Sequence, residues 1–383
     1  MSFMEQIYLG INSPKSILPY VKKHTRRLFD KNAPPSVIQI AVNNVCNAKC
    51  KMCDYGQRNI NSTGFKVMTS RVSDQNDLTP ELFKKFLDDV KSFKPDISFK
   101  LIEPLLNPNL PLFIKMCNDY GLKVQVTTNA FLLPTYAKQL IDAGLDHIHI
   151  SIDGPPELHN EIRGLPDGFN RSMKGIKLLT KYAKQKGQKI RIFINCTILN
   201  LNYTKLAETL DHLKNVKEIE KIKFQHLNYV TQEMANDYNE RYGKGLGDMT
   251  TSTISDEVDP KKMNIDILYN ELVKINKKTK SMPFFIDMIP RNIVNKKALK
   301  TFYFHPEKFI KGHDKCRNLI EGSYLASDGS IRIHTRCYDI SFGNINDNTF
   351  LEIWNGPKYK NVRKKFNKNT PIACSRCCGV MFY

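Results

Sequence analysis

The stretch VIQIAVNNVCNAKCKMC, residues 37–53, decides how the rest of the chain is read. Its opening run, VIQIAV at 37–42, has the composition of a strand buried in a sheet that helices cover on both faces. Cys46, Cys50 and Cys53 follow at once, spaced by three residues and then two. Three thiolates on one short loop can hold three irons of a four-iron cluster and leave the fourth iron open. The alternative is a zinc site completed by a distant residue. Zinc sites favour paired C-x2-C groups, which this spacing fits poorly.

Outward from that stretch, short apolar runs alternate with amphipathic ones. LTPELFKKFLDDVKSF (78–93) predicts a helix, with Thr79 as N-cap, Pro80 in the first turn and Leu82, Phe83, Phe86, Leu87 and Val90 on one face. Strand-like ISFKLI (97–102), KVQVTT (123–128), HIHISI (147–152), IRIFINCTIL (190–199) and IKFQHL (222–227) are separated by helical stretches. Six βα repeats imply parallel strands with right-handed crossovers, in an open sheet or a partial barrel. In both, chemistry gathers at the C-terminal ends of the strands, where the cysteine trio lies. Residues 228–260 are polar and read as a loop or lid. A helix is expected over 261–278, with Met263, Ile267, Leu268, Leu272 and Ile275 inward. GSYLASDGSIRIH (322–334) predicts a hairpin with a type I′ turn at Asp328-Gly329.

At 41% hydrophobic and 25% charged residues, the composition is that of a globular protein. No apolar run approaches the ~18 residues of a membrane span, and the start lacks a secretory pattern. A cytoplasmic location is therefore expected, where ten cysteines stay reduced and point to metal ligation instead of disulfides. The net charge of +20 would suit nucleic acid, an acidic partner or an anionic substrate. The basic residues are spread along the chain and not interleaved with aromatics. They read as a solvated surface, with no nucleic-acid partner expected.

CNAKCKMC (46–53) resembles the cluster motif of the radical S-adenosylmethionine (SAM) superfamily. The resemblance implies a SAM-binding [4Fe-4S] cluster on Cys46, Cys50 and Cys53. It also implies a partial (β/α)6 TIM-type barrel, and reductive cleavage of SAM to a 5′-deoxyadenosyl radical. Met52 and Tyr55 match positions that meet the adenine. Glu103-Pro104 match the end of a Gly-Gly-Glu-Pro segment, with Leu101 and Ile102 in place of its glycines. Thr128-Asn129 resemble a TNG segment, and Ser151-Ile152-Asp153-Gly154 an SxDG segment near the SAM ribose or carboxylate. Arg163 matches an arginine that pairs with the SAM carboxylate.

Cys316, Cys337, Cys374 and Cys377 form a second constellation, which on spacing alone is also a structural zinc pattern. With DGSIRIHTRC and EIWNGPKY between them, they resemble the shortened SPASM domain, or twitch, that holds one auxiliary [4Fe-4S] cluster. Cys378 reads as a bystander, and Cys117 and Cys196 as core. The implied organisation is a basic N-terminal extension at 1–36, a core barrel at 37–227, a linker at 228–304, and a small α+β iron–sulfur domain at 305–383. Acid–base candidates are His226 and Tyr229, after the sixth strand, and Arg336 and Tyr338, beside Cys337. The short N-terminal segment and shortened C-terminal domain resemble relatives acting on a sugar, aminocyclitol or nucleoside-like metabolite, with flavodoxin or ferredoxin as reductant. The alternatives are a peptide- or protein-modifying maturase and a non-catalytic electron-transfer or binding protein.

Overall fold

The computed structural model describes residues 33–69, 77–333 and 339–381. Ten strands form one sheet: β1 Val37–Ile40, β2 Asp96–Phe99, β3 Val124–Thr128, β4 His147–Ser151, β5 Arg191–Ile198, β6 Ile219–His226, β7 Phe285–Ile289, β8 Gly322–Leu325, β9 Ser330–Arg332 and β10 Ser341–Asn344. Their spatial order is β10-β9-β8-β1-β2-β3-β4-β5-β6-β7. Strands β1 to β7 pair in parallel, as the intervening helices require. The fold is a partial (β/α)6 barrel followed by a small α+β region. The C-terminal strands extend the same sheet, because β8 pairs in parallel with β1, placing Gln39 beside Tyr324.

The principal helices are α1 Thr63–Thr69, α2 Pro80–Val90, α3 Leu110–Asp119, α4 Leu133–Asp142, α5 Pro156–Arg163, α6 Gly168–Lys186, α7 Leu206–Leu213, α8 Gln232–Tyr238, α9 Ile265–Lys278, α10 Lys296–Phe304, α11 Phe350–Trp354 and α12 Pro357–Lys368. Helix α2 begins as expected, with the Thr79 hydroxyl accepting from Leu82 N at 3.2 Å. Its Phe83 ring lies 4.8 Å from Phe113 on α3 and 5.8 Å from Phe99 on β2. Phe99 therefore faces the helices. Side chains alternate along a strand, so Ser98 and Lys100 face the other way. The same alternation buries Ile148 and Ile150 of β4, and Ile192, Ile194 and Cys196 of β5, in the main core. It turns His147, His149, Ser151, Arg191, Phe193 and Asn195 to the inner face. Cys117 and Cys196 are fully buried, as expected for core residues.

Several local expectations are corrected. Residues 228–260 are not simply a loop. Thr231 caps α8 by accepting from Met234 N at 3.2 Å, and Met234, Ala235 and Tyr238 bury one side of it. Ile267 on α9 is exposed, since it lies beside rather than on the stripe of Leu268, Leu272 and Ile275. FIDMI (285–289) forms β7, because Lys221 to Gln225 of β6 offer it a parallel edge. The hairpin at Asp328-Gly329 exists, but only Gly329 of the pair has a positive φ, 84°. The bonds Gly329 N to Ala326 O and Ala326 N to Ser330 O define a three-residue loop with a left-handed glycine, not a type I′ turn.

Candidate active site

The cysteine loop leaves the C-terminal end of β1 and folds back on itself. Gly56 permits this, since a Cβ there would stand 2.5 Å from the Cys50 backbone N and O. Gly164, with φ +57°, permits the packing of α5's end against the loop, where a Cβ would meet Lys49 O at 2.9 Å. Lys49 N and Lys51 N donate to the carbonyls of Arg163 and Ile162 at 3.0 and 2.9 Å. Cys46 N donates to the Tyr55 hydroxyl at 3.1 Å, and Tyr55 stacks on Phe65 at 5.5 Å. Met52 is buried in the core beside the loop.

Glu103 braces this loop from β2. Its Oε1 accepts from the Thr128 hydroxyl at 2.6 Å and Leu105 N at 3.1 Å, and its Oε2 from Asn129 N at 2.8 Å. Burial, the leading effect, raises the Glu103 pKa, and these three bonds oppose it. Asn129 passes the brace on, donating Nδ2 to Asn47 Oδ1 at 2.8 Å. Just before Glu103, Leu101 has φ 96°, in the region that favours glycine.

Asp153 is fully buried after β4. Its Oδ2 accepts from Arg163 Nε at 2.5 Å and its Oδ1 from Thr197 N at 2.7 Å. Arg163 Nη1 then lies 3.8 Å from Cys50 Sγ. Asn202 and His159 hold the turn itself, through Asn202 Nδ2 to Asp153 O at 2.7 Å and Asp153 N to His159 Nδ1 at 3.1 Å. Neither residue carries a readable signal in sequence. Ser151 lies next to Asn195 in register. Segment 248–259 straps the far side of the loop. Asp54 accepts from the Ser252 hydroxyl at 2.7 Å and Thr253 N at 3.2 Å, and Lys51 pairs with Glu257 at 2.5 Å.

A second thiol group lies at the chain's end. Cys316, Cys374 and Cys377 are buried, and Cys378 is partly exposed. Burial raises the Cys374 thiol pKa far above the usual range, and Cys377, Cys316 and Cys378 add to the rise as electrostatic neighbours. Cys316 Sγ rests against Gly379, where a Cβ would come within 3.0 Å, and Arg317 N donates to Gly379 O at 3.0 Å. Arg376, between the cysteines, is fully buried. It donates to the carbonyls of Thr301, Phe302, His305, Lys308 and Ser375, capping the end of α10. Cys337, Arg336 and Tyr338 lie outside the described residues.

The Radical SAM superfamily model matches residues 40–226, and that of an iron–sulfur cluster-binding domain, SPASM, matches residues 316–378. The chain belongs to the radical SAM superfamily. It is 24% identical to a Fe-coproporphyrin III synthase of Methanosarcina barkeri, over 98% of this chain and 89% of that one. It is 31% identical to an AdoMet-dependent heme synthase of Oleidesulfovibrio alaskensis, over 47% of this chain and 43% of that one. The solved structure titled "Native anSMEcpe with bound AdoMet" superposes with a TM-score of 0.57 at 18% identity, covering 90% of this chain and 88% of that one. As a radical SAM protein with a SPASM domain, the chain is an enzyme whose cofactors are SAM, a [4Fe-4S] cluster and auxiliary iron–sulfur.

The donor set fits such a cluster. The three loop thiols are free, Ala48 N donates to Cys46 Sγ at 3.4 Å, and Arg163 stands beside Cys50. Burial, followed by Glu103, pushes the Cys46 thiol pKa up to about 12, and burial pushes Cys50 to about 11 against the pull of Arg163. Cluster assembly therefore displaces protons. Among the described residues, no three His, Cys, Asp or Glu groups stand in closed metal-holding geometry.

Of the radical SAM positions read from sequence, Glu103, Thr128 and Asp153 spend their polar atoms inside the protein. They position Asn129 and Arg163. His226 and Tyr229 depart furthest from the expected proton-transfer role. The Ile293 carbonyl, 3.2 Å from His226 Nε2, can only accept, so His226 Nδ1 accepts from the Tyr303 hydroxyl at 2.7 Å. The Tyr229 hydroxyl donates to Phe302 O at 2.8 Å. Both residues are buried. Their hydrogen bonds knit β6 to α10 rather than presenting a proton to a substrate.

Proposed function

We propose that this enzyme takes hydrogen from a small polar metabolite lodged inside the barrel, and that the overall change is an oxidation. The observation that carries the reading is the pair of cysteine groups, one in the loop that leaves β1 and one formed by Cys316, which precedes β8, with the cysteines at the chain's end. Strands β1 and β8 are neighbours in one sheet. When bound, the first cluster and SAM supply a 5′-deoxyadenosyl radical that removes hydrogen from carbon, and the auxiliary cluster supplies redox capacity.

The chain's own residues then have distinct tasks. Cys46, Cys50 and Cys53 would hold the first cluster, and Cys316, Cys337, Cys374 and Cys377 the second. Arg163, clamped by Asp153, is positioned to receive a carboxylate. Ser151 offers a hydroxyl at the end of β4, Asn129 holds the Cys46 loop through Asn47, and Met52 and Tyr55 line the adenine side. The strap at 248–259 covers Asp54, next to Cys53. Residues 37–227 would form the core and 305–383 the auxiliary domain, with flavodoxin or ferredoxin as the reductant. The name of the Methanosarcina relative, which aligns over nearly the whole chain, supports a metabolite substrate over a peptide.

The test is anaerobic reconstitution followed by dithionite and SAM. Wild type should release 5′-deoxyadenosine and Cys50→Ala should not. Adding a true substrate should raise release and yield a product two hydrogens lighter. A product of unchanged mass would sink the oxidative part of the reading.

A further inference from the structure

The inner face of the barrel gathers several cations, most of them with partners of their own. Arg191 is paired in bidentate fashion with Glu220, at 2.6 and 2.9 Å, and Arg291 with Asp287, at 3.0 Å. Lys221 and Lys223 of β6 lie 5.3 and 5.8 Å from the ring of Phe193, which also packs 5.2 Å from His149. Lys100 is the exception to this pairing. Among the described residues its ammonium forms no ion pair and no side-chain hydrogen bond. Burial, then Lys223, lowers its pKa to about 8, with only Cys378 acting to raise it.

Beside it, the polar surface is incomplete. Ser98 Oγ and Gln39 Oε1 are both buried on the inner face, and neither has a hydrogen-bond partner. An unpaired buried donor and a half-buried, uncompensated cation are costly unless a ligand completes them. Position adds to this. Lys100 lies three residues before Glu103, the brace of the Cys46 loop, and has Cys378 of the second thiol group as an electrostatic neighbour. A group held there lies near the second thiol group, beside the end of the strand that leads to Glu103.

We infer that Lys100 anchors an anionic group of the substrate, a carboxylate or a phosphate, at the C-terminal mouth of the barrel. Ser98 supplies a hydroxyl to the same group, and Lys223 lends positive potential from across the inner wall. This deepens the metabolite reading above and rests on it. The anchor sets which end of the substrate faces each cysteine group, so substrate orientation follows from charge.

The test uses the reconstituted full-length enzyme with SAM. Titration calorimetry would measure coproporphyrin III, a tetracarboxylate, and inorganic pyrophosphate, against wild type, Lys100→Met, Lys100→Arg and the exposed control Lys138→Met. Loss of a charge-assisted contact predicts binding weaker by ~10-fold or more in Lys100→Met. Lys100→Arg should stay within ~3-fold of wild type, since it keeps the charge, and Lys138→Met should match wild type. Preference for one probe identifies the group as carboxylate or phosphate. Equal binding by wild type and Lys100→Met, or binding of neither probe, overturns the assignment. Release of 5′-deoxyadenosine by wild type is scored separately. Its absence would fault the enzymatic reading, whatever the calorimetry shows.

Discussion

The Arg163 guanidinium is held by the Asp153 carboxylate at 2.5 Å, which leaves its far edge directed at Cys50. Asp153 is thus a positioning residue, and the arginine is the group that would meet a ligand. The pair is almost wholly buried, with side-chain exposures of 14% for the arginine and 0% for the aspartate. Removing one partner of such a pair costs ~3–5 kcal/mol, because the other charge stays buried. Asp153→Ala should therefore lower the urea midpoint of the apoprotein and weaken SAM binding. Asp153→Asn, which retains an acceptor for Thr197 N, should recover much of the stability but not the SAM affinity. Equal SAM affinity in all three proteins would remove Arg163 from the SAM site.

Iron content separates the two cysteine groups. After anaerobic reconstitution, wild type should hold ~8 irons, and the triple Cys46/Cys50/Cys53→Ala variant ~4, as two independent four-iron clusters require. One zinc and ~4 irons in wild type, with no iron in the variant, would make the C-terminal site structural and defeat the oxidative proposal.

Leu101 occupies a backbone conformation, φ 96°, that costs an L-residue ~1–2 kcal/mol. Its side chain packs on Ala41, Val67, Tyr324 and Ala326, which offsets that cost. Leu101→Gly should relieve the strain and forfeit the packing, so thermal stability should change little. SAM affinity, read by equilibrium dialysis, should hold or rise, since the smaller residue allows closer backbone approach. A clear fall in affinity would show that the leucine itself contributes to the site.

Buried histidines make the apoprotein acid-sensitive. Burial pulls the pKa of His226 down to about 4, that of His159 to about 4 and that of His147 to about 3. A depressed folded-state value means that the unfolded chain takes up protons first. The stability these groups contribute is complete above pH ~6.5 and is lost as pH falls from there toward 4. Each could cost ~2 kcal/mol between pH 6.5 and 5. The thermal midpoint should fall over this interval, and His226→Gln should flatten the fall. An unchanged slope in that variant would mean that His226 is protonated in the fold.

The helical and strand alternation was legible because it is local. Thr79 and Pro80 announce α2 within four residues, and the isoleucines of β4 and β5 mark the helix-facing side of the sheet by simple alternation. The strand β7 and helix α8 were not legible. The first exists only because β6 offers it an edge, and the second because its one apolar side finds a place to pack. The same division runs through the site. Cys46, Cys50 and Cys53 stand within one loop, and their spacing is itself the chemistry. Lys100 looked like any surface lysine until the sheet placed it on the inner wall beside Ser98 and Gln39. Glu103 and Asp153 resembled cofactor positions in sequence, and the structure adds that their side-chain oxygens are engaged by Thr128, Asn129, Arg163 and Thr197.

By itself, then, the sequence determined the class of fold and the kind of metal chemistry, since both depend on spacings within a turn or a strand. Only the tertiary structure decided which polar groups are occupied and which face the substrate. That is a matter of partners dozens to hundreds of residues apart, brought together when a parallel sheet closes its strands side by side.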